Sequence, residues 1–186
     1  MPIIAVTLMQ GYPAEVHRRL CERLSDAAMA TIAAPAAGVT VAIHEVAPSG
    51  YMRGREAKQP GEAPPAAAEI ALDLLDAQGA READRVAALT EEGFAMTFPG
   101  GARFTDLEAL GDWAATRYRR IAKSIERVEE APLGETVAVY VSGTLHGEWP
   151  DGTAFEGIRF VDRFEISGGR ALSQEVWNDL GAARDT

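Results

Sequence analysis

The chain has 186 residues, of which 47% are hydrophobic and 25% are charged, and its formal net charge is −10. These values are typical of a globular protein with one large or two modest domains, and the acidic charge argues against nucleic-acid binding, which needs a basic face. The single cysteine, Cys21, excludes an intramolecular disulfide. No run of 18 apolar residues could span a membrane, and the first residues lack a signal-peptide pattern. We therefore expect a cytoplasmic protein without membrane or nucleic-acid partners.

The chain begins with a proline directly after the initiator methionine. Because proline is small, this methionine is normally removed, which leaves Pro2 with a free secondary amine. A free α-amino group titrates near pKa 7.7–8.0, and desolvation lowers the pKa of an amine further. The Pro2 nitrogen could then serve as a general base at physiological pH. The alternative is that Pro2 merely tolerates its position, and a retained Met1 would make its nitrogen an amide.

The first 57 residues are predicted to form a β-α-β unit. Ile3 to Leu8 is a β-branched strand, an apolar stripe at three- and four-residue steps predicts a helix over about 13–33, and residues 39–46 form a second strand. A helical crossover makes two strands parallel. Two strands and one helix cannot bury a self-sufficient core, so this unit needs to oligomerise or to pack on something else.

A proline-rich linker follows, and a larger α+β region comes after it. The predicted domains are 1–57, a linker at 58–66, and 67–186. The last begins with helical patterning that breaks at Gly79, a short strand at 94–98, and a helix whose start at Thr105 has the spacing of a capping box. Four long alternating strands then span 121–129, 137–146, 155–166 and 171–179, with hairpin turns at Asp151-Gly152 and Gly168-Gly169. Helices followed by an antiparallel meander predict a sheet that curves over the helices.

The first unit resembles the 4-oxalocrotonate tautomerase family from Pro2 to about Arg55. The resemblance rests on the Met1-Pro2 start, the apolar strand, a turn glycine, the helix length, a proline before the second strand, and an acid and an aromatic at family spacing (Gly11, Pro35, Glu45, Tyr51). It implies that Pro2 is a general acid or base that moves a proton on a small carbonyl or enol substrate, such as an unsaturated keto acid. It also implies a hexamer or trimer in which neighbouring subunits share each site, with Tyr51 similar to the family's aromatic wall.

Two departures from the family pattern affect the expected substrate. Tyr12 and Thr40 stand where the family has its substrate-binding arginines, and bidentate clamping of a carboxylate is an arginine property. Diacids of the oxalocrotonate type are therefore doubtful substrates. Tyr12 could donate a hydrogen bond to a substrate oxygen instead, and Arg53 and Arg55 could supply positive charge, although loop arginines are more often simply solvated.

The second unit resembles the nuclear-transport-factor-2-like superfamily, in particular its SnoaL-like polyketide cyclase branch. The motifs are the segments 98–101 and 157–164, the Gly168-Gly169 turn, and a last strand ending in Trp177-Asn178-Asp179. The resemblance implies a cone-shaped α+β domain in which a curved antiparallel sheet and helices enclose a pocket. Some members are isomerases or cyclases that use a pocket carboxylate, and many only bind ligands or partners.

Side chains alternate between the two faces of a strand, and this alternation gives an independent prediction of which polar groups face that pocket. Asp162 shares a face with Phe160 and Phe164, and burial there would raise the pKa of its carboxyl. The structural alternative is an ion pair of Asp162 with an arginine such as Arg159 or Arg163. The other predicted pocket residues are Tyr140, His146, Trp177 and Asp179.

Three functions are compatible with these patterns. The first is a two-domain isomerase acting through Pro2, with the second unit as a ligand-binding or oligomerisation module. The second is a cyclase or isomerase with its site in the cone, and the third is a non-catalytic ligand-binding assembly protein. No cofactor is expected, and the three histidines lack the spacing of metal ligands. A homo-oligomer is predicted, a hexamer built as a trimer of dimers or else a dimer.

Overall fold

The computed structural model describes residues 1–184 and contains two compact units, residues 1–63 and the residues from Pro64 onward. The last two residues of the predicted 67–186 domain lie outside the described part. The first unit has the order β1 (Ile3–Met9), α1 (Ala14–Ile32), β2 (Thr40–Val46), β3 (Met52–Arg53) and β4 (Glu56–Ala57). Strands β1 and β2 are parallel, with Ile3 beside Thr40 and Met9 beside Val46, which confirms the predicted β-α-β unit.

The turn after β1 depends on a glycine. Gly11 has φ of +136°, a conformation that residues with a side chain rarely adopt, and a Cβ at this position would lie 2.9 Å from the ring of Pro60. The start of the proline-rich segment therefore packs against the first unit at this turn.

The first unit has no buried core of its own. Every residue from 1 to 63 keeps part of its surface exposed. Ile4, Val6 and Leu8 are half-buried on one face of the two-stranded sheet, whereas Ile3 on the other face is 75% exposed. A sheet with one uncovered apolar face is not self-sufficient, as its small size predicts.

The second unit is a curved six-stranded sheet with helices on its inner face. The helices are α2 (Ala67–Ala80), α3 (Ala83–Leu89), α4 (Leu107–Ala115) and α5 (Leu180–Arg184), and the strands are β5 (Thr90–Phe98), β6 (Ala102–Phe104), β7 (Arg120–Leu133), β8 (Thr136–Glu148), β9 (Ala154–Ser167) and β10 (Arg170–Asn178). The strand order is β6-β5-β10-β9-β8-β7. Strands β7 to β10 form the predicted antiparallel meander, and β5 joins β10 in parallel.

The core of the second unit lies between α2 and the concave face of the sheet. Its fully enclosed side chains include Leu74 from the helix, Val139 and Val141 from β8, and Phe164 from β9. Along β9, the buried residues from Ile158 to Ile166 alternate with exposed or half-buried ones, which confirms that Phe160, Asp162, Phe164 and Ile166 share one face. Irregular pairing within the β7–β8, β8–β9 and β9–β10 ladders marks bulges, which bend a sheet.

Two element boundaries differ from the sequence prediction. Helix α2 continues through Gly79 to Ala80 and is capped by Arg81, whose φ of 58° is left-handed, while the Glu82 amide donates to the Ala77 carbonyl. A Schellman-type cap, rather than the glycine, thus ends the helix. Helix α4 is capped by Asp106 and not by Thr105, because the Asp106 carboxylate accepts from the Ala109 amide at 2.8 Å.

Candidate functional sites

The first candidate site is the start of β1. Pro2 is half-buried, and its carbonyl oxygen accepts a hydrogen bond from the Thr40 amide at 3.1 Å. The residue before it, Met1, is 95% exposed. Strand pairing thus fixes the proline backbone, while nothing packs over the methionine that would have to be removed to free its nitrogen.

The other residues predicted for this site lie at the opposite end of the strands. Tyr12 follows the end of β1, and a strand of seven residues is about 20 Å long. Gly50 lies beside the Val46 side chain, so Tyr51 stays near the far end of β2, where its hydroxyl accepts from the Arg53 guanidinium at 3.2 Å. Arg55 is exposed in the adjoining hairpin turn. Within one copy, the structure brings Tyr51 and Arg53 together but leaves Tyr12 far from Pro2.

The second candidate site is a cavity of about 610 Å³ in the second unit. Its walls are largely apolar and aromatic, with Phe98, Trp113, Phe160 and Val176 among them. A volume of this size and a lining of this kind are typical of small-molecule sites. The polar side chains that reach it include Gln78, Arg117, Tyr118, Lys123 and Gln174.

Asp162 lies beneath this cavity and has no exposed surface. One carboxylate oxygen pairs with the Lys123 ammonium, and the other, Oδ1, has no hydrogen-bond partner at bonding geometry among the described residues. Burial raises the pKa of the Asp162 carboxyl above its ordinary value, against the opposing effects of the Lys123 charge and, more weakly, of the Gln174 side chain. An incompletely paired, buried carboxylate is costly, and such groups concentrate at functional sites.

Two glutamines continue the polar cluster. Gln174 is almost completely buried, and its Oε1 accepts from the Gln78 Nε2 at 2.7 Å. The same Gln78 nitrogen lies 3.3 Å from the Met96 sulfur. Nearby, burial raises the pKa of the Tyr118 hydroxyl, which favours its protonated, hydrogen-bond-donating form. The cluster offers amide, hydroxyl and ammonium groups to a ligand within apolar walls.

The structure does not bring the other four predicted pocket residues to this cavity. Tyr140, His146 and Trp177 are exposed, and all three alternate with the inward-facing residues of their strands. Asp179 pairs with Arg159 at 2.7 Å. The prediction that Tyr140 and His146 share one face of the strand is correct, but that face is the outer face of the sheet.

The arginines offered as alternative partners of Asp162 are also engaged elsewhere. Arg159 holds Asp179, and Arg163 pairs with Glu175 at 3.1 Å on the outer face. The partner that the sequence reasoning missed is Lys123. No local pattern in the sequence pointed to it, because the two residues are 39 positions apart in the chain.

Within residues 1–184, no group of three or more histidine, cysteine, aspartate or glutamate side chains is arranged to hold a metal ion. Over the same range, no helix combines the length and the apolar character needed to cross a membrane.

The two units of the chain resemble different known proteins. Residues 2–59 match the family model described as tautomerase enzyme. No curated protein matches the chain in sequence.

Solved structures similar to this chain cover the remainder of it, and several of them are described as NTF2-like or SnoaL-like. The structure of Bal32a, from a soil-derived mobile gene cassette, is 17% identical, covers 63% of this chain and 93% of its own, and has a TM-score of 0.51. A putative SnoaL-like polyketide cyclase from Jannaschia sp. CCS1 is 21% identical over 67% of this chain and 95% of its own, with a TM-score of 0.49. An NTF2-like protein from Burkholderia xenovorans LB400 is 22% identical over 62% and 92%, with a TM-score of 0.48. At these identities the likeness concerns the fold.

Proposed function

We propose that this protein is a small-molecule isomerase of the tautomerase type in which the nitrogen of Pro2 is the general acid and base. The observation that carries the proposal is the tautomerase match over residues 2–59, which starts at Pro2 itself. The position of Pro2 supports it, since the backbone is held by Thr40 while the preceding Met1 is exposed to an aminopeptidase.

The chemistry is a proton transfer without any change of oxidation state. A neutral Pro2 amine takes a proton from one atom of the enol or keto acid and returns it to another, so that the electron pair moves between a carbon–carbon and a carbon–oxygen bond. An amine with a pKa near the working pH serves both steps. The amide that Met1 would leave serves neither, so removal of Met1 is a requirement of the mechanism.

Substrate binding in this proposal requires more than one copy of the chain. Tyr12 lies about 20 Å from Pro2 along β1 in one copy. The uncovered face of the β1–β2 sheet, with its exposed Ile3, supports association with another copy. Tyr12, or the Tyr51–Arg53 pair, would then reach Pro2 from a neighbouring subunit, in a hexamer or a dimer.

The test is the ketonisation of phenylenolpyruvate or of a hydroxymuconate by the purified protein. Mass spectrometry first establishes that Met1 has been removed. Pro2→Ala, and separately a form that keeps one uncleaved residue before Pro2, should each lower the rate at least tenfold, with unchanged oligomeric state as the control. Rates that stay the same would exclude the N-terminal mechanism.

A second candidate function places an isomerase or cyclase reaction in the cavity of the second unit. The observation in its favour is the buried Asp162 with its unpaired Oδ1. In that case Asp162→Asn would abolish turnover while Pro2→Ala would not. If the native protein turns over none of these substrates, the remaining alternative, a protein that acts by binding alone, is favoured.

A further inference from the structure

We propose that the cavity of the second unit binds an apolar organic monoanion whose negative oxygen is received by Lys123, with Asp162 as the residue that positions the lysine. This inference goes beyond the isomerase activity proposed for Pro2 and does not depend on it. It names the charge and the chemical class of a ligand for a different unit of the chain.

The side chain of Lys123 crosses over a neighbouring strand of the sheet to reach its partner. Lys123 lies on β7, opposite Leu145, and its partner Asp162 lies on β9, with β8 between them. Along β8, the residue nearest this path is Gly143, which pairs with Phe160 and has no side chain to obstruct it. The Lys123 ammonium lies 4.8 Å from the centre of the Phe160 ring, a distance at which the ring face attracts a cation.

A ligand in the cavity meets the lysine and not the carboxylate. Asp162 has no exposed surface, whereas 28% of the Lys123 side chain remains exposed and contributes to the cavity wall. The carboxylate therefore orients the ammonium from below. The remaining hydrogen-bonding capacity of the ammonium, which has three donors, is available to a ligand oxygen.

The other charges around the cavity also favour an anion. The guanidinium of Arg117 stacks 4.5 Å from the centre of the Trp113 ring, and no ion pair found within residues 1–184 involves it. The one carboxylate in the wall, that of Asp76, lies 2.7 Å from the Arg85 guanidinium, which also pairs with two other acidic side chains. The wall thus presents two cationic groups, those of Lys123 and Arg117, and one carboxylate, in a protein whose net charge is −10.

The residues of the cavity walls indicate the chemistry and the size of the remainder of the ligand. Phe98, Trp113 and Phe160 supply ring surfaces, and a cavity of about 610 Å³ has room for a compound of two or three rings. Such surfaces bind flat apolar groups well. The combination describes a ring compound that carries a single carboxylate, sulfonate or enolate.

A pair of fluorescent probes that differ in charge tests this proposal. 8-Anilinonaphthalene-1-sulfonate is a monoanion, and N-phenyl-1-naphthylamine has the same aromatic frame without the sulfonate. We expect the full-length protein to bind the anion at least tenfold more tightly, as a charge-assisted hydrogen bond allows. Lys123→Met should remove this preference and change the affinity for the uncharged probe less than twofold. Lys58→Met, at the only other lysine, should leave the preference intact.

Two further variants separate binding from folding and from the Pro2 chemistry. Lys123→Met leaves the Asp162 carboxylate buried without its partner. The same measurement is therefore repeated with the double variant Lys123→Met/Asp162→Asn, in which neither residue carries a charge. It should fold and should also lack the preference. Pro2→Ala should keep it. Equal affinities of the native protein for the two probes, or a preference that survives in either Lys123 variant, would overturn the proposal.

Discussion

The ammonium of Lys123 reaches across β8 from β7 to the carboxylate of Asp162 on β9. This ion pair joins the wall of the cavity to the most enclosed charged group in the described part of the chain. Its contribution to stability and its contribution to binding can be separated experimentally.

Removal of Lys123 should destabilise the second unit more than removal of both partners. Breaking a buried pair on one side leaves an uncompensated charge, which costs about 3 kcal/mol. We therefore expect Lys123→Met to lower the free energy of unfolding by about that amount, and Lys123→Met/Asp162→Asn to recover at least half of it. Urea unfolding followed by tryptophan fluorescence measures both. A double variant that is less stable than the single variant would contradict this account.

The titration of Asp162 should make the stability of the protein depend on pH. Burial raises the pKa of this carboxyl above its ordinary value of 3.8, so the folded state holds the proton more tightly than the unfolded state. The free energy of unfolding then falls as the pH rises through the window between these two pKa values. Because asparagine cannot ionise, the stability of Asp162→Asn relative to the native protein should increase as the pH rises from about 4.

Asp151 provides a control of opposite sign. Its carboxylate accepts from the Thr153 amide at 2.8 Å, and this hydrogen bond lowers the pKa of Asp151. The stabilisation is present above the ordinary pKa and is lost as the pH falls through the lowered one. Asp151→Asn should therefore lose stability relative to the native protein as the pH rises. If the two variants follow the same trend, the assignment to Asp162 is wrong.

Two glycine-to-alanine substitutions should have opposite effects. A Cβ on Gly143 would overlap the carbonyl oxygen of Ser124 on β7, so Gly143→Ala should cost about 2–3 kcal/mol. A Cβ on Gly79 in helix α2 meets no atom within 4 Å, and alanine is the better helix former, so Gly79→Ala should stabilise by about 0.5 kcal/mol. Thermal unfolding of the two variants tests this pair. A tolerated alanine at 143 would show that β7 and β8 can separate at the bulge.

Association should depend on the uncovered face of the first unit. Ile3 on β1 is 75% exposed in one copy, and a charge there would face the neighbouring copy. We expect Ile3→Glu to shift the protein toward monomer in analytical ultracentrifugation and to lower enol ketonisation. Ile32, which is 58% exposed at the end of α1, gives the matched control. Ile32→Glu should leave the assembly unchanged, and dissociation by both variants would place the contact elsewhere.

Several elements of the fold could be predicted because their signals are local. Alternation of Phe160, Asp162 and Phe164 correctly assigned the inner face of β9, since large apolar side chains on both sides of a polar residue leave one consistent orientation. The β-α-β unit was equally clear, because the helical stripe joins two short β-branched strands. The early part of β5, in contrast, escaped prediction because Glu91, Glu92 and Gly93 hide the strand pattern.

The composition of the cavity could not be predicted from local signals. Parity groups Tyr140 with His146 but does not say which face is buried, and an aromatic side chain does not identify the inner face by itself. Lys123 pairs across two strand spacings with a residue 39 positions later in the chain. Such a contact depends on the strand order of the sheet and on the absence of a side chain at Gly143, neither of which a periodic pattern contains.

The exposed methionine at the head of β1 has a practical consequence for anyone who produces this protein. An affinity tag fused ahead of Met1 would keep the nitrogen of Pro2 in an amide, and under the mechanism we propose such a protein would show no isomerase turnover even when it folds. Helix α5 ends in the exposed residues 181–184. A purification tag at the carboxyl end avoids this effect, and an inactive sample with an amino-terminal tag would not test the proposed mechanism.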